Sequence, residues 1–339
     1  MHGPRAKSNP QSNPTSLNHF TNAFRRFPAA FSIAVLLIAV ALPALAALGS
    51  STNPPAANAP AGPKGKHFDR VLVIVLENQN YESAMRDPYL ASLASQGASF
   101  SNFKALFHPS YPNYIAMVAG NSFGIQGDSQ VNLPDDDAHR TIADLLDWRA
   151  YAENYPGRPS DDRAFLRDRG KYARKHVPLL SFASVQEKSF HNVVGVDTHD
   201  PHNAFVTDVE MFRKDPKLYP LPRYMFYSPN LDDDGHDPYF FPARGLRKAS
   251  TWLQHFLTTW FPLDDKMKGT LVVITYDESE GFEKSNRIYT VFLGDMVKPG
   301  EVTHEYNHYS VLRTIEDNFG LQPLSDGDRA AEPITDIWK

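Results

Sequence analysis

The chain repeats one arrangement at two distant places: a short apolar run that ends in acid. FDRVLVIVLEN closes on Glu77 and Asn78, and TLVVITYDESEG closes on Asp277 and Glu278. Side by side, the two runs would gather Glu77, Asn78, Asp277 and Glu278 at one edge. Clustered carboxylates repel one another unless a cation or a buried base offsets them. Hard oxygen ligands of this kind favour a divalent metal ion. Taken singly, each acid at a strand end only begins a polar loop. A third motif, HPSYPNY, puts Ser110 at the expected start of a helix. Backbone N–H groups and the helix dipole stabilise an anion there. A serine oxygen held beside a metal loses its proton more easily and becomes a nucleophile. Asn113, one turn on, is placed to donate to a phosphoryl oxygen. Alone, HPSYPN is a tight Pro-rich turn. No GxSxG elbow surrounds this serine, which argues against an ordinary α/β-hydrolase esterase.

SPNLDDDGHDP crowds Asp232, Asp233, Asp234, His236 and Asp237 into one stretch. Carboxylate and imidazole at this spacing can converge on one metal or on a leaving group, and a solvated acidic turn is the alternative. His308 in YNHYS precedes the last helix and can reach the same edge. His176 in RKHVP and His108 before the serine are candidate phosphate donors. His199 and His202 read as surface loop residues.

These residues need a frame. Both acid-ended runs are short, apolar and rich in β-branched residues, as in fully buried strands of a parallel sheet. In open α/β sheets, ligands sit beyond the carboxyl ends of the strands. DPYLASLASQG reads as a helix closed by Gly97. Pro112 can open a helix through YIAMVAG. TIADLLDWR reads as a helix capped by Thr141, with Ile142, Leu145 and Leu146 as its stripe. YARKHVPLLSFASV, RYMFYSPN and RIYTVFLG read as strands or strand edges. GLRKASTWLQHFLTTWF is an amphipathic helix, and YSVLRTIEDNFG a last helix ending at Gly320. The expectation is an α/β fold: a mostly parallel central sheet with helices on both faces.

The first 46 residues contain four basic residues and no acid, and Arg25-Arg26 precede the apolar run FPAAFSIAVLLIAVALPALAAL. This reads as an export signal with a small-x-small cleavage pattern at Ala44-Leu45-Ala46, or as a retained membrane anchor. Residues 47–66 read as a Pro/Ala/Gly-rich linker, and 67–339 as one catalytic domain. The expected location is the periplasm or outside the cell. Cleavage would move the net charge from −5 to −9, leaving 30 basic residues against 39 acidic ones. An acidic domain argues against nucleic acid as a partner. Zero Cys leaves stability to the core. The membrane is expected to matter only through the N-terminal segment, and no signal specifies an oligomeric state.

VIVLENQNYE, HPSYPNYIAMVAG, KYARKHVPL, SPNLDDDGHD, TYDESEG and NHYS stand here in the order found in the phosphoesterase family. The chain resembles that family from about Phe68 to about Gly320. The family includes bacterial and fungal acid phosphatases and bacterial phospholipases C, and falls in the alkaline-phosphatase superfamily. HPSYPNY and RKH-x-P resemble its acid-phosphatase branch. The resemblance implies that Glu77 and Asn78, Ser110, and Asp277 with Glu278 bind metal, and that Ser110 is the nucleophile. It implies that Asp234, His236 and His308 hold a second metal or bind phosphate, and that Asn113 and His176 contact phosphate. Glu278 stands where the wider superfamily often has His, which weakens the parallel with a zinc pair. Asp232 also stands four residues before His236, leaving open which aspartate is the ligand.

The expected function is an exported, metal-dependent phosphoesterase, foremost an acid phosphatase acting on small phosphorylated substrates through a phosphoserine. The alternatives are a phospholipase C-type phosphodiesterase, for which Phe240 and Phe241 would form an apolar lip, and a non-catalytic phosphate- or metal-binding protein.

Overall fold

RVLVIVL and TLVVITY lie side by side at the centre of the molecule, as β1 (Arg70–Leu76) and β7 (Thr270–Tyr276). They pair in parallel from Arg70↔Thr270 to Leu76↔Tyr276. The next residues, Glu77 and Asp277, therefore leave the sheet at the same level. Side chains alternate between the two faces of a strand. Every residue of β7 and nearly every residue of β1 is buried, so both faces of the sheet are covered.

The computed structural model describes residues 65–157, 163–236, 244–281 and 284–339. The expected export segment, nearly all of the linker, and Phe240-Phe241 lie outside them. From Lys66 onward the chain is fastened to the domain: Lys66 N–H donates to the carbonyl of Asn318, and His67 N–H to its Oδ1.

Besides β1 and β7, the strands are β2 (Ala98–Phe100), β3 (Phe103–Lys104), β4 (Trp148–Glu153), β5 (Val193–Val196), β6 (Tyr224–Ser228), β8 (Thr290–Leu293), β9 (Gly300–Val302) and β10 (Tyr306–Asn307). The main sheet has eight strands in the order β5-β4-β6-β1-β7-β8-β2-β9. Only the contacts of β8 with β7 and β2 are antiparallel. The strands β6, β1 and β7 point the same way, so the loops after Ser228, Leu76 and Tyr276 emerge together. A small parallel pair, β3 with β10, ties the chain before Ser110 to the chain before His308.

The helices are α1 (Tyr81–Arg86), α2 (Pro88–Gln96), α3 (Ser110–Ala119), α4 (Ala204–Lys214), α5 (Arg244–His255), α6 (His308–Phe319) and α7 (Asp326–Ala330). Helix α2 ends before Gly97 and α6 before Gly320, which takes the left-handed conformation at φ 67. Phe205 of α4 and Trp252 of α5 pack on Tyr227 of β6.

Two expectations are corrected. TIADLLDWR is not a helix. It makes one 3-10 turn, Ile142–Asp144, with a capping box between Thr141 and Asp144, and then enters strand β4. Pairing of Trp148–Ala152 with β6 overrides the local stripe. KYARKHVPLLSFASV holds no strand: it coils through 3-10 turns at Arg174–His176 and Pro178–Ser181 and a π turn at Val185–Ser189. Pro178 has no N–H to give a ladder. Buried Arg174 organises the coil by donating to the carbonyls of Leu166, Val131 and Leu180 and to Asn132 Oδ1. Helix α3 begins at Ser110, the expected helix start, two residues ahead of Pro112. The proline falls in the first turn, where a missing N–H costs no intrahelical bond.

Candidate active site

Ser110 is the first residue of α3 and is buried at the carboxyl edge of β1 and β7. Its Oγ lies 3.2 Å from Glu77 Oε2, 3.4 Å from Asn78 Oδ1 and 3.1 Å from Glu278 Oε1. A hydroxyl has one proton to donate. With the carboxylates ionised, three acceptors around it leave two oxygen pairs facing each other with no hydrogen between them.

Asn78 knits the two strand ends together. It turns through φ 35, a conformation that non-glycine residues adopt rarely and often at functional sites. Its N–H donates to Asp277 Oδ1 at 3.1 Å, and its Nδ2 to Glu278 Oε1 at 3.0 Å. Glu278 Oε2 pairs with His108 Nδ1. Asp277 Oδ2 is buried and has no hydrogen-bond partner.

Glu77 is the most heavily compensated acid. Tyr114 OH donates to its Oε1 at 2.8 Å. His176 Nε2 stands 3.0 Å from the same oxygen, close but poorly aligned, and its ring stacks on Tyr114. Lys175 Nζ lies 4.0 Å from Oε2. Burial favours the neutral carboxyl, but the charges of His176 and Lys175 outweigh it and bring Glu77 down to about 2. Asp277 goes the other way: burial, then repulsion from Glu77 and Glu278, push it well above the usual carboxylate range. Glu278 is raised chiefly by burial, with His108 opposing. Buried acid thus exceeds buried base here, the condition that a bound cation relieves.

Asp234, not Asp232, turns inward. Asp232 is exposed and pairs with Lys171 at 2.6 Å and Lys248 at 3.7 Å. Asp234 is buried, its Oδ2 lacks a hydrogen-bond partner, and His176 Nδ1 stands 3.9 Å away. Burial raises its carboxyl to about 6. Its carbonyl accepts the N–H of Glu77 at 2.7 Å, which locks this loop to the end of β1. The intervening Gly235 takes φ +104, and a Cβ there would come within 3.3 Å of the Glu77 carbonyl. His236 is exposed, and its N–H donates to Asp234 Oδ1. His308 is buried, with Nε2 2.8 Å from the carbonyl of Asp277. Burial lowers it to about 4, so it is neutral and its Nδ1 is an acceptor.

Asn113 departs from expectation. Its Oδ1 accepts the N–H groups of Leu106 and Phe107, and its Nδ2 donates to the Phe107 carbonyl. This amide braces the loop before the serine. Sequence reasoning missed Tyr114, Lys175 and Glu153. Tyr114 follows Ser110 by one helical turn, and Lys175 adjoins His176, so spacing alone would have found both. Glu153 ends β4 and accepts four donors: Tyr227 OH, Trp252 Nε1, and the N–H and Nδ2 of Asn230. Asn230 begins the turn that carries Asp234.

Among the described residues, no three His, Asp or Glu side chains form an assembled metal-binding group. The donors around Ser110 instead mix carboxylate, amide and hydroxyl oxygens. The orphaned Asp277 Oδ2 and the crowded Ser110 Oγ fit a hard cation bound by oxygen.

The profile of the Phosphoesterase family matches residues 79–322. The chain belongs to the phosphoesterase family. A probable acid phosphatase of Kluyveromyces lactis is 34% identical over 280 residues, covering 78% of this chain and 62% of that protein. A phosphatidylinositol-3-phosphatase of Mycobacterium tuberculosis is 34% identical over 282 residues, covering 80% of this chain and 83% of that one. This phosphoesterase-family chain thus spans about six tenths of the length of fungal relatives such as the Kluyveromyces protein. A Vibrio parahaemolyticus protein of the alkaline phosphatase superfamily shares the fold, with a TM-score of 0.52 at 13% identity over 81% of this chain and 72% of that one.

Proposed function

We propose that this protein is an exported, metal-dependent phosphomonoesterase working through a phosphoserine at Ser110. The observation that carries this reading is the Ser110 hydroxyl at a helix start, with Glu77, Asn78 and Glu278 oxygens within 3.4 Å. The acid-phosphatase names of its fungal relatives support the reaction class. The basic and then apolar N-terminal segment supports export; no helix among the described residues is long and apolar enough to cross a membrane.

Ser110 Oγ attacks phosphorus in line, the Oγ–P bond forms, and the bond from phosphorus to the alcohol oxygen breaks. The serine proton has Glu278 Oε1 within 3.1 Å as its acceptor. The N–H groups of the α3 start and Lys175 Nζ would offset charge on the phosphoryl oxygens. The leaving alkoxide takes a proton from the side of the site formed by Asp234, His176 and His236. Asp234, raised to about 6, is protonated in acid and suits that task. Water then cleaves the phosphoserine. Glu77, Asn78, Asp277 and Glu278 would hold the divalent ion, which when bound would acidify the serine hydroxyl and neutralise phosphoryl charge.

The substrate we favour is a soluble phosphomonoester. The name of the mycobacterial relative extends the candidates to a phosphomonoester on an inositol lipid headgroup. The test is turnover of p-nitrophenyl phosphate against bis-p-nitrophenyl phosphate, with and without chelator, beside Ser110→Ala. Chelator-sensitive hydrolysis of the monoester, lowered at least about 1000-fold by the substitution, is expected. Hydrolysis of the diester alone, or full activity in Ser110→Ala, would sink the proposal.

A further inference from the structure

Asp128 lies on the loop that follows α3, and its carboxylate reaches back to the start of that helix. Its Oδ1 accepts the backbone N–H of Tyr111 at 3.0 Å, and its Oδ2 accepts from Lys175 Nζ at 3.1 Å. Tyr111 directly follows Ser110. Its N–H belongs to the first helical turn, where donors have no intrahelical partner and favour anions. Lys175 Nζ stands 4.0 Å from Glu77 Oε2, the oxygen that meets Ser110 Oγ at 3.2 Å. Ammonium and hydroxyl thus face each other across one carboxylate oxygen. A phosphoryl group on Ser110 needs a helix-start N–H and a cation, and here a carboxylate of the protein occupies both.

We infer that Asp128 is a built-in competitor of the phosphoryl group: it occupies these two donors in the free protein and is displaced when phosphate binds. This rests on the reading of Ser110 as the phosphoryl acceptor. The geometry favours displacement. The Asp128 side chain is 44% exposed, so it can turn outward into water. An ion pair with one partner open to water contributes little, whereas phosphate makes stronger charge-assisted bonds to the same donors. Gly124 and Gly127 flank the turn before Asp128, and a Cβ at either would meet nothing within 4 Å, so this part of the loop is not packed in place. Asp128 therefore sets how tightly phosphate, as substrate group or product, is held.

Asp128 also caps α3, whose own N-cap residue, Pro109, offers no side-chain acceptor. Asparagine caps a helix about as well as aspartate. Asp128→Asn therefore removes the charge and keeps the cap, while Asp128→Ala removes both. The experiment measures inorganic phosphate binding to the full chain by calorimetry, its Ki against p-nitrophenyl phosphate, and Tm. Phosphate should bind about 3-fold tighter to Asp128→Asn and about 10-fold tighter to Asp128→Ala, with Tm lowered only in the alanine variant. Equal tightening in both variants would mean a through-space charge effect and would overturn displacement. Unchanged or weaker phosphate binding would overturn it too, leaving Asp128 as a cap or as a positioning residue for Lys175. Wild-type protein that neither binds phosphate nor turns over the monoester would remove the Ser110 reading together with this inference. Wild-type binding matched by both variants removes this inference alone.

Discussion

Asp277→Asn should stabilise the protein in chelator and destabilise it, relative to wild type, in divalent metal. Asp277 is fully buried at the end of β7. Its Oδ1 accepts the Asn78 N–H at 3.1 Å, and its Oδ2 has no hydrogen-bond partner. Burial and the neighbouring Glu77 and Glu278 hold its carboxyl well above the ordinary range. A folded pKa above the unfolded one gives stability that is complete below the unfolded value, about 4, and lost as pH rises through the folded value. Asparagine keeps the acceptor for Asn78 and places an N–H where the orphaned oxygen stood, beside two carboxylates. A hydrogen bond to a charged group contributes about 1.5–3 kcal/mol, so a gain of about 2 kcal/mol at neutral pH is expected. In a domain of this size that is about 4–8 °C in Tm. Wild type should gain about 2.7 kcal/mol from a divalent ion at about 100 times its Kd. The variant, short of one anionic ligand, should lose nearly all of that gain, which puts it about 0.7 kcal/mol below wild type in metal. Thermal melts in chelator and across calcium, manganese and zinc titrations would show the two proteins exchanging order. A variant that melts below wild type in chelator at every pH, yet keeps the full rise with metal, would refute the idea that Asp277 is a charge awaiting a cation.

Glu153→Gln leaves one oxygen to face four buried donors, and should cost about 3 kcal/mol, or about 6–12 °C in Tm. Burial raises Glu153 to about 7, so its protonated form contributes stability below the unfolded value of about 4.5 that is lost as pH rises through about 7; urea titrations should find that slope in wild type and not in the variant. Glu316 and Asp328 are both buried, and both accept the N–H of Leu324. Burial first, and then Asp328, push Glu316 up to about 9, so the urea midpoint should fall as pH rises through about 9 and stay level in Glu316→Gln. A wild-type midpoint that stays flat through that range would count against a proton held by this pair.

The parts legible in the sequence were those written locally. Runs of β-branched residues announced β1 and β7, the Gly97 and Gly320 stops closed α2 and α6, and a serine before Pro112 marked the start of α3. Acids at the ends of β-branched runs were enough to nominate Glu77, Asn78, Asp277 and Glu278, because strand direction alone fixes the edge at which they emerge. Strands β4 and β5 were not legible. WRAYAE carries no β-branched residue, and VVGV is four residues with a central glycine; each is a strand because the neighbour it pairs with makes it one. YARKHVPLLSFASV looked strand-like, and the carbonyls gathered by Arg174, with the missing N–H of Pro178, make it a coil.

The sequence by itself determined which side chains were available and at which ends of which elements they stand, since β-branching, turn chemistry and first-turn donors act over a few residues. Tertiary structure decided which of them meet. The register that joins Asn78 to Asp277 across 199 residues, the choice of Asp234 over Asp232, the use of Asn113 on its own loop, and the pairing of Asp128 with Lys175 all depend on long-range packing. Hydrogen bonds and charge compensation inside a buried site depend on distances of a few ångströms, and those are set only when the whole sheet has closed around it.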